Sequence, residues 1–348
     1  MQELHIGEND AGQRFDKYLK KLLAEAPGSF VYKMLRKKNI ILNGKKADGT
    51  EKLSCGDEVK LFLSDETYEK LRAKSKTVMP EAFSGSEKTL RQLKVLYEDA
   101  DILIINKPSG MLSQKARPED VSANEYILSY LLREGALTEE EMRTFRPSVC
   151  NRLDRNTSGI LIAGKTLKGL QEMSKALKER TIQKYYRCVV KGEVLREDYL
   201  KGWLVKDERE NKVTVSTVKP KSADAAPIET AYRPIWTGGG YTGLEVHLIT
   251  GRSHQIRAHL ASIGHPIIGD VKYGDAGTNE QFRRQCKVKS QMLHAYRIVF
   301  ADGREVIAPC GAEFARVEEP VDRLWQKELQ HKKWKFNLKL NFHFCRFR

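Results

Sequence analysis

Residues 152–159 read Arg-Leu-Asp-Arg-Asn-Thr-Ser-Gly and continue directly into the apolar run Ile160-Leu161-Ile162-Ala163. The pattern predicts a turn-prone loop that leads into a buried strand. Functional side chains often lie in such loops, because the sheet behind them holds them in place. The two flanking arginines would favour the ionised form of Asp154. A structural salt bridge in a tight turn uses the same residue types, so the string alone leaves both interpretations open.

Further strand-like runs lie on both sides of this stretch. They are residues 93–99, 101–107, 185–190, 212–215, 244–248 and 297–300. Helical patterns are fewer, at 168–179 and 254–263. The pattern predicts an α+β fold class, with a mixed, mostly antiparallel β-sheet in the large domain and not a doubly wound parallel sheet.

The first 70 residues have the pattern of a small α/β module. Residues 14–23 and 29–38 are predicted helices, the second with Ser29 as its N-cap. Short β-like pieces follow at 40–42 and 58–63, with a turn at Asn43-Gly44. Basic residues cluster in and after the second helix: Lys33, Arg36, Lys37, Lys38, Lys45 and Lys46. This order resembles the small RNA-binding domain of a small-subunit ribosomal protein and of tyrosyl-tRNA synthetases. The alternative is that the basic cluster is only a solvated, charged helix face.

The charge balance favours a polyanionic partner. The chain of 348 residues has 61 Lys and Arg against 46 Asp and Glu, a net charge of +15. Basic side chains beside phosphates release condensed counterions, which drives binding to nucleic acids. No apolar run is long enough to span a membrane, and the polar N-terminus predicts a cytoplasmic protein. The six cysteines form no C-x-x-C pair, which argues against a zinc ribbon or a dense disulfide framework.

Three segments together resemble the RluA-type pseudouridine synthase family, and within it the RluC- and RluD-like members that have a small N-terminal RNA-binding domain. The first is residues 152–159, quoted above. The second, residues 184–192, is similar to the family's K-x-Y-x-A-x-V-x-G strand, with Cys188 in place of alanine. The third is T-G-R-S-H-Q-I-R-A-H-L at 250–260, continued by G-H-P-I-I-G-D at 264–270. The family often has histidine before R-L-D, where this chain has Asn151, so no role of that histidine is transferred.

The resemblance implies an enzyme that isomerises uridine to pseudouridine in structured RNA. Asp154 would be the catalytic carboxylate, acting as nucleophile or as base, with Arg257 paired to it. Tyr186 would pack against the uracil, and its hydroxyl could help to remove the C5 proton. Arg152 would fill the space that the extruded uridine leaves. Supporting roles in the active site fall to Arg155, Thr157, Gly159, Arg252, His254 and Gln255.

A metal site is the weaker interpretation of the third segment. His254 and His259 have a spacing near that of zinc-binding helices but not equal to it, and no carboxylate lies between them. His254 and Gln255 are better explained as supports of the loop that carries Arg257. We therefore expect no metal and no cofactor, since the isomerisation is redox-neutral.

Two other functions compete with the enzyme hypothesis. A non-catalytic RNA-binding or ribosome-assembly factor would use the basic module without chemistry, but it would not need Asp154, Tyr186 and Arg257 together. A nuclease would need clustered carboxylates for two metal ions, and none are evident. The expected partner is large-subunit ribosomal RNA, with transfer RNA as the alternative. We expect a monomer that has no membrane contact.

The sequence predicts four regions. Residues 1–70 form the RNA-binding domain, 71–92 a polar linker, 93–312 the catalytic domain, and 313–348 a C-terminal helix and a basic-aromatic tail. In the tail, apolar residues alternate with polar ones from Trp334 to Phe344. That period of two is typical of a strand. An RNA-stacking strip and a loose terminal extension are the competing interpretations. We favour an accessory strand or tail without a catalytic role.

Overall fold

A computed structural model describes residues 1–72, 94–207, 210 and 212–318. The strands are β1 (Gln2–His5), β2 (Ile40–Leu42), β3 (Lys45–Lys46), β4 (Glu58–Leu61), β5 (Lys94–Glu98), β6 (Ile102–Lys107), β7 (Ser148–Val149), β8 (Ser158–Gly164), β9 (Gln183–Lys191), β10 (Asp198–Asp207), β11 (Lys212–Ser216), β12 (Ala226–Gly238), β13 (Tyr241–Leu248), β14 (Leu293–Val299) and β15 (Glu305–Ile307). The helices are α1 (Phe15–Leu22), α2 (Phe30–Arg36), α3 (Asp65–Leu71), α4 (Ala123–Arg133), α5 (Leu167–Glu179), α6 (Gln255–Ser262) and α7 (Ala276–Cys286). A short 3-10 turn covers Glu141–Arg143, and a last helical segment covers residues 312–318.

The chain divides into two compact units that interleave along the sequence. The first comprises Met1–Lys107, Met111–Arg152 and Leu161–Glu179, and the second comprises Pro108–Gly110, Leu153–Ile160 and Arg180–Arg348.

The N-terminal part of the first unit is a four-stranded sheet, ordered β1-β4-β2-β3, with its own hydrophobic core. The predicted helices are present as α1 and α2, and the apolar faces expected for them are buried. Ser29 is the N-cap of α2, but its side chain makes no capping hydrogen bond. Asn43 and Gly44 both have positive φ, as the tight turn between β2 and β3 requires.

Helix α3 lies at the boundary between the predicted RNA-binding domain, residues 1–70, and the predicted linker, residues 71–92. Ser64 caps it by accepting a hydrogen bond from the backbone of Thr67. Tyr68 is buried in the core of the module, and Leu71 packs against that core. These two apolar contacts stabilise a helix whose sequence is mostly charged and polar. The remaining residues of the predicted linker, 73–92, lie outside the described residues.

The second unit contains a sheet ordered β11-β10-β12-β13-β9-β14-β8. Its pairings are antiparallel except for that of β14 with β8, which is parallel. The prediction of an α+β fold with a mixed, mostly antiparallel sheet is therefore confirmed. In the first unit, β6 pairs with β5, and β7 pairs with the later residues of β8, both antiparallel.

Gly159 fixes the start of β8 against β14. Its φ is +113°, and a Cβ atom there would lie 2.2 Å from the backbone oxygen of Ala295. Any side chain would force the two strands apart, so only glycine allows this approach. The tight contact anchors the loop before β8, which carries Asp154.

No helix among the described residues is long and apolar enough to cross a membrane. The alternating tail from Trp334 to Phe344 lies outside the described residues, so its predicted strand stays a prediction.

Candidate active site

Asp154 lies in the loop between β7 and β8, in the second unit. Its backbone oxygen accepts a hydrogen bond from the amide of Thr157 at 3.0 Å, which closes a tight turn. Thr157 is buried, and the Gln291 side chain donates to its hydroxyl at 3.4 Å. The turn thus holds the carboxyl group in one place while the side chain stays 26 % exposed, open to a ligand.

Arg257 on α6 binds two carboxylates at once. Its Nη1 donates to Oδ2 of Asp154 at 2.7 Å, although 103 residues separate the two in the chain. Its Nε and Nη2 donate to Asp270 at 2.7 and 2.8 Å, a bidentate pair. Asp270 is completely buried and Arg257 is only 6 % exposed, so the guanidinium has little freedom to turn away from Asp154.

The charges of this trio favour ionised side chains. Burial opposes the charge on Arg257, but the hydrogen bonds and charges of Asp270 and Asp154 outweigh it and raise the pKa of Arg257. Burial alone would raise the pKa of Asp270; Arg257 and the backbone amides of Lys272 and Tyr273 outweigh it and lower that pKa below its ordinary value. Asp270 is thus a permanent anion that anchors Arg257.

Tyr186 on β9 is buried and lies within the electrostatic reach of Asp154. Burial, and then the negative charge of Asp154, raise the pKa of its hydroxyl well above the usual value for tyrosine. Tyr186 is therefore a neutral phenol at physiological pH. It can offer an aromatic face and a hydroxyl group beside the carboxylate.

Gln255 holds the segment that leads into α6. Its side-chain oxygen accepts from the Thr250 hydroxyl at 2.8 Å and from the backbone amide of Arg252 at 3.1 Å. Its amide nitrogen donates to the backbone oxygen of Glu229 at 2.9 Å and to the Thr230 hydroxyl at 3.0 Å. Gln255 therefore links the loop before Arg257 to strand β12.

His254 lies closer to the carboxylate than a supporting residue needs to. Its Nε2 is 3.9 Å from Oδ2 of Asp154, and its Nδ1 is 2.9 Å from the Tyr273 hydroxyl. Burial lowers its pKa more than the charge of Asp154 raises it, so the ring is neutral at physiological pH.

The three other arginines of the predicted site are exposed. Arg155 donates through Nε to the backbone oxygen of Gly110 at 3.2 Å, and the Gly110 amide donates back to the oxygen of Arg155 at 2.9 Å. Within the described residues, the side chains of Arg152 and Arg252 form no ion pair. Both are thus available to a bound polyanion.

The six predicted RNA-binding cations belong to the N-terminal module. Lys33 and Arg36 are on α2, Lys37 and Lys38 follow it, and Lys45 and Lys46 form β3. All six side chains are exposed. Among the described residues none of them forms an ion pair with a carboxylate, so their charge is not neutralised within the module.

The histidines of the third segment have separate environments. His259 is buried and lies 3.1 Å from the Thr230 hydroxyl, and His265 lies 3.0 Å from the backbone oxygen of Lys191. Within the described part of the chain, no group of three or more His, Cys, Asp and Glu side chains is arranged to hold a metal ion.

Two glycine-containing strings have the spacing of phosphate-binding loops but not their structure. Residues 159–166 fit G-x-x-x-x-G-K-T, yet most of them form strand β8, and Lys165 is paired with Glu98 at 2.7 Å. Residues 238–243 fit G-x-G-x-x-G and form the turn from β12 to β13. A phosphate loop needs backbone amides that converge at the start of a helix, so neither string is a nucleotide site.

Asp270, Tyr273 and Asn279 are site residues to which the sequence analysis gave no role. Asn279 donates to the backbone oxygen of Asp270 at 2.9 Å and accepts from the amide of Gly269 at 2.7 Å. Tyr273 lies under the guanidinium of Arg257, 5.2 Å from the ring centre. The available signal in the sequence was Asp270 at the end of the third segment, because a buried arginine needs a carboxylate partner.

A buried histidine beside the Asp154 loop predicts a loss of stability in acid. His294 receives a hydrogen bond from Ser158 at 2.8 Å and donates to the backbone oxygen of Ala308 at 3.1 Å. Burial lowers its pKa to about 4, whereas an unfolded histidine has a pKa of about 6.5. Unfolding therefore takes up a proton below pH 6.5, and the stabilisation by His294 is lost as the pH falls from about 6.5 to 4.

We expect this effect to be on the order of 3 kcal/mol in the free energy of unfolding. Urea unfolding at pH 7 and pH 4.5 measures it, with His294→Gln as the comparison, because glutamine cannot titrate. A variant as acid-sensitive as the wild type would contradict the assignment to His294.

Comparisons with known proteins show which family the sequence is similar to. The sequence profile of the RNA pseudouridylate synthase family matches residues 101–262. Ribosomal large subunit pseudouridine synthase C of Vibrio vulnificus is 31 % identical over 92 % of this chain and 96 % of its own length. The enzyme of that name from Pasteurella multocida is 32 % identical over 94 % of this chain and 92 % of its own length.

Solved structures show the same fold. The structure titled "Human RNA Pseudouridylate Synthase Domain Containing 4" superposes with a TM-score of 0.54 at 19 % identity. The match covers 66 % of this chain and 92 % of that one.

Proposed function

Because the chain belongs to the RNA pseudouridine synthases of RluA type, we propose that it isomerises selected uridines of large-subunit ribosomal RNA, with Asp154 as the catalytic carboxylate. The observation that carries the proposal is the pairing of Asp154 with Arg257 at 2.7 Å beside the neutral phenol of Tyr186. A protein that only binds RNA has no need of a carboxylate aligned by a buried arginine.

The reaction needs a carboxylate next to the ribose. The bond from N1 of uracil to C1′ breaks, the base turns, C5 bonds to C1′, and the C5 proton leaves. Asp154 is the group proposed to act at the sugar, either by attack on C1′ or by removal of a ribose proton. Arg257 keeps it ionised and aimed, because Asp270 holds the guanidinium from the other side.

Tyr186 is proposed to contact the base. A protonated phenol cannot act as a base itself, but it can stack on uracil and order a water molecule or an oxygen atom near C5. Arg152 is exposed two residues before Asp154. We propose that it fills the stack from which the target nucleotide is extruded, a step that costs a few kcal/mol and less in an unpaired loop.

The choice of RNA rests on the relatives' names and on charge. Both relatives described above are named for the large ribosomal subunit, and a net charge of +15 suits an RNA partner. Transfer RNA stays the alternative substrate. We further propose that the protein acts in the cytoplasm as a monomer and without a cofactor.

A comparison of pseudouridine maps tests the proposal. We expect one or a few sites in large-subunit ribosomal RNA to lose pseudouridine when the gene is deleted, and to regain it when the wild-type gene is returned. Loss confined to transfer RNA would show that transfer RNA is the substrate. An unchanged map in all RNA would contradict the proposed function.

The N-terminal cations are expected to control binding more than chemistry. Replacing Lys33 and Lys37 by Gln removes one positive charge from α2 and one from the residue that follows it. This double change should reduce the slope of log affinity against log salt by up to about two. The single-turnover rate at saturating RNA should change by less than about threefold, because neither residue lies in the unit that contains Asp154.

Lys175→Gln with Lys178→Gln is a matched control, since it removes the same charge from the exposed side of α5. Equal effects of the two pairs on affinity would show a non-specific charge effect. A fall of orders of magnitude in the saturated rate would instead place the module in the active site.

A further inference from the structure

His254 has a geometry that support of the loop does not require. It is the N-cap of α6, yet its φ is +56°, in the left-handed region that most side chains avoid. Its side chain makes no capping hydrogen bond. Gln255, the next residue, already holds the loop through four hydrogen bonds. The unusual backbone conformation turns the His254 ring towards Asp154, with Nε2 3.9 Å from Oδ2, and such local strain is often retained for function.

The hydrogen bonds of the ring determine which nitrogen carries the proton. The backbone amide of Val213 donates to the Tyr273 hydroxyl at 2.8 Å, and this hydroxyl lies 2.9 Å from Nδ1 of His254. We assign the tyrosine proton to the bond with Nδ1, because the hydroxyl then both accepts and donates. The ring is neutral, so the single proton is on Nε2, which faces the carboxylate. The tautomer is thus fixed through a partner on the far side of the ring.

The distance between Nε2 and Asp154 is too long for a direct hydrogen bond. It is short enough for one hydroxyl oxygen to accept from Nε2 and donate to the carboxylate, with both hydrogen bonds near their usual length of about 2.8 Å. The proposed chemistry puts Asp154 next to C1′ of the target nucleotide. The 2′-hydroxyl is attached to the neighbouring carbon, and it is the sugar group that distinguishes RNA from DNA.

We propose that His254 is a specificity residue that binds the 2′-hydroxyl of the target nucleotide, as a donor through Nε2, while Asp154 accepts the hydroxyl proton. The inference rests on the proposed function, because it needs a uridine bound with its ribose at Asp154. Tyr273 and Val213 then act through His254 as positioning groups. The site recognises ribose at the reacting nucleotide itself.

A binding cycle with modified RNA tests this role. Binding is measured in the Asp154→Asn background, so that turnover is not needed, with a target RNA and with the same RNA carrying one 2′-deoxyuridine at the target position. With His254 present, loss of the 2′-hydroxyl should weaken binding about threefold to tenfold, the range of one neutral hydrogen bond. With His254→Asn, most of this discrimination should be lost, because asparagine tolerates the left-handed backbone but ends near the position of Nδ1.

Two variants separate recognition from a structural role. His254→Gln carries an amide donor near the position of Nε2 and should restore most of the discrimination. His265→Gln changes another histidine of the same segment, bonded to a backbone oxygen of Lys191, and should leave the discrimination unchanged.

Equal sensitivity to the 2′-hydroxyl in the His254→Asn and His254-containing proteins would overturn the inference. The proposed function is judged separately, from pseudouridine formation by the wild-type protein on the same RNA. If the wild-type protein forms pseudouridine but His254→Asn does not change the sensitivity to the 2′-hydroxyl, the proposed function stands and only the proposed role of His254 is wrong.

Discussion

Asp154→Asn is expected to abolish pseudouridine formation while the affinity for RNA stays within about tenfold. The amide can still accept a hydrogen bond from Arg257, but it can neither attack C1′ nor take up a proton. Loss of a nucleophile of this kind lowers turnover by about 10⁴-fold or more. Binding depends mainly on phosphate contacts spread over many basic residues, so one neutral replacement changes it little.

Single-turnover assays at saturating RNA, with filter binding beside them, measure the two quantities. Asp302→Asn is the matched control, since Asp302 is an exposed carboxylate paired with Arg304 on the surface of the same unit. Activity of Asp154→Asn within tenfold of that control would exclude Asp154 as the catalytic group.

Asp270→Asn is expected to impair both the rate and the fold. Asp270 is completely buried and holds two of the three nitrogens of the Arg257 guanidinium. Removal of one partner of a buried ion pair costs about 3–5 kcal/mol, because the other charge is left buried without compensation. Arg257 would also lose the contact that aims Nη1 at Asp154, and misplacement of about 1 Å can cost about a hundredfold in rate.

Chemical denaturation and single-turnover assays at a temperature where the variant is folded separate the two effects. We expect the rate to fall by about a hundredfold with unchanged RNA affinity. Asp270→Glu keeps the charge but lengthens the side chain, so it should restore part of the stability and less of the rate. Wild-type rate in a folded Asp270→Asn protein would show that Asp270 has no part in positioning Arg257.

The sequence predicted the strand behind the Asp154 loop because its local pattern agrees with the fold. The run from Ile160 to Ala163 is continuously apolar, and it is a buried strand. The pairing of Asp154 with Arg257 follows from no local pattern, since 103 residues separate them. It was predicted only through the resemblance to a family.

Several elements were missed for physical reasons. Strand β12 contains Pro227 and Pro234, which normally indicate a break, and the ladder is irregular between Pro234 and Trp236. Helix α7 is mostly polar, with only Thr278 and Phe282 buried, so it shows no clear apolar face. Helix α4 was also missed, although its sequence carries a clear signal: Ser122 and Glu125 form a capping box before an apolar run.

The role of Asp270 could not be read from periodicity either. A carboxylate becomes an anchor only when the fold buries it against a cation, and its four acceptor contacts come from Arg257 and from the backbone of Lys272 and Tyr273. The sequence shows the residue but not the burial. The same holds for His254, whose hydrogen-bond partner Tyr273 lies 19 residues further along the chain.

The most direct measurement is the pseudouridine content of a large-subunit ribosomal RNA transcript after incubation with the purified protein in EDTA. We predict stoichiometric pseudouridine at one or a few uridines with the wild-type protein, and none with Asp154→Asn at equal RNA occupancy. No pseudouridine with the wild-type protein on any ribosomal or transfer RNA, or equal amounts with both proteins, would contradict the account.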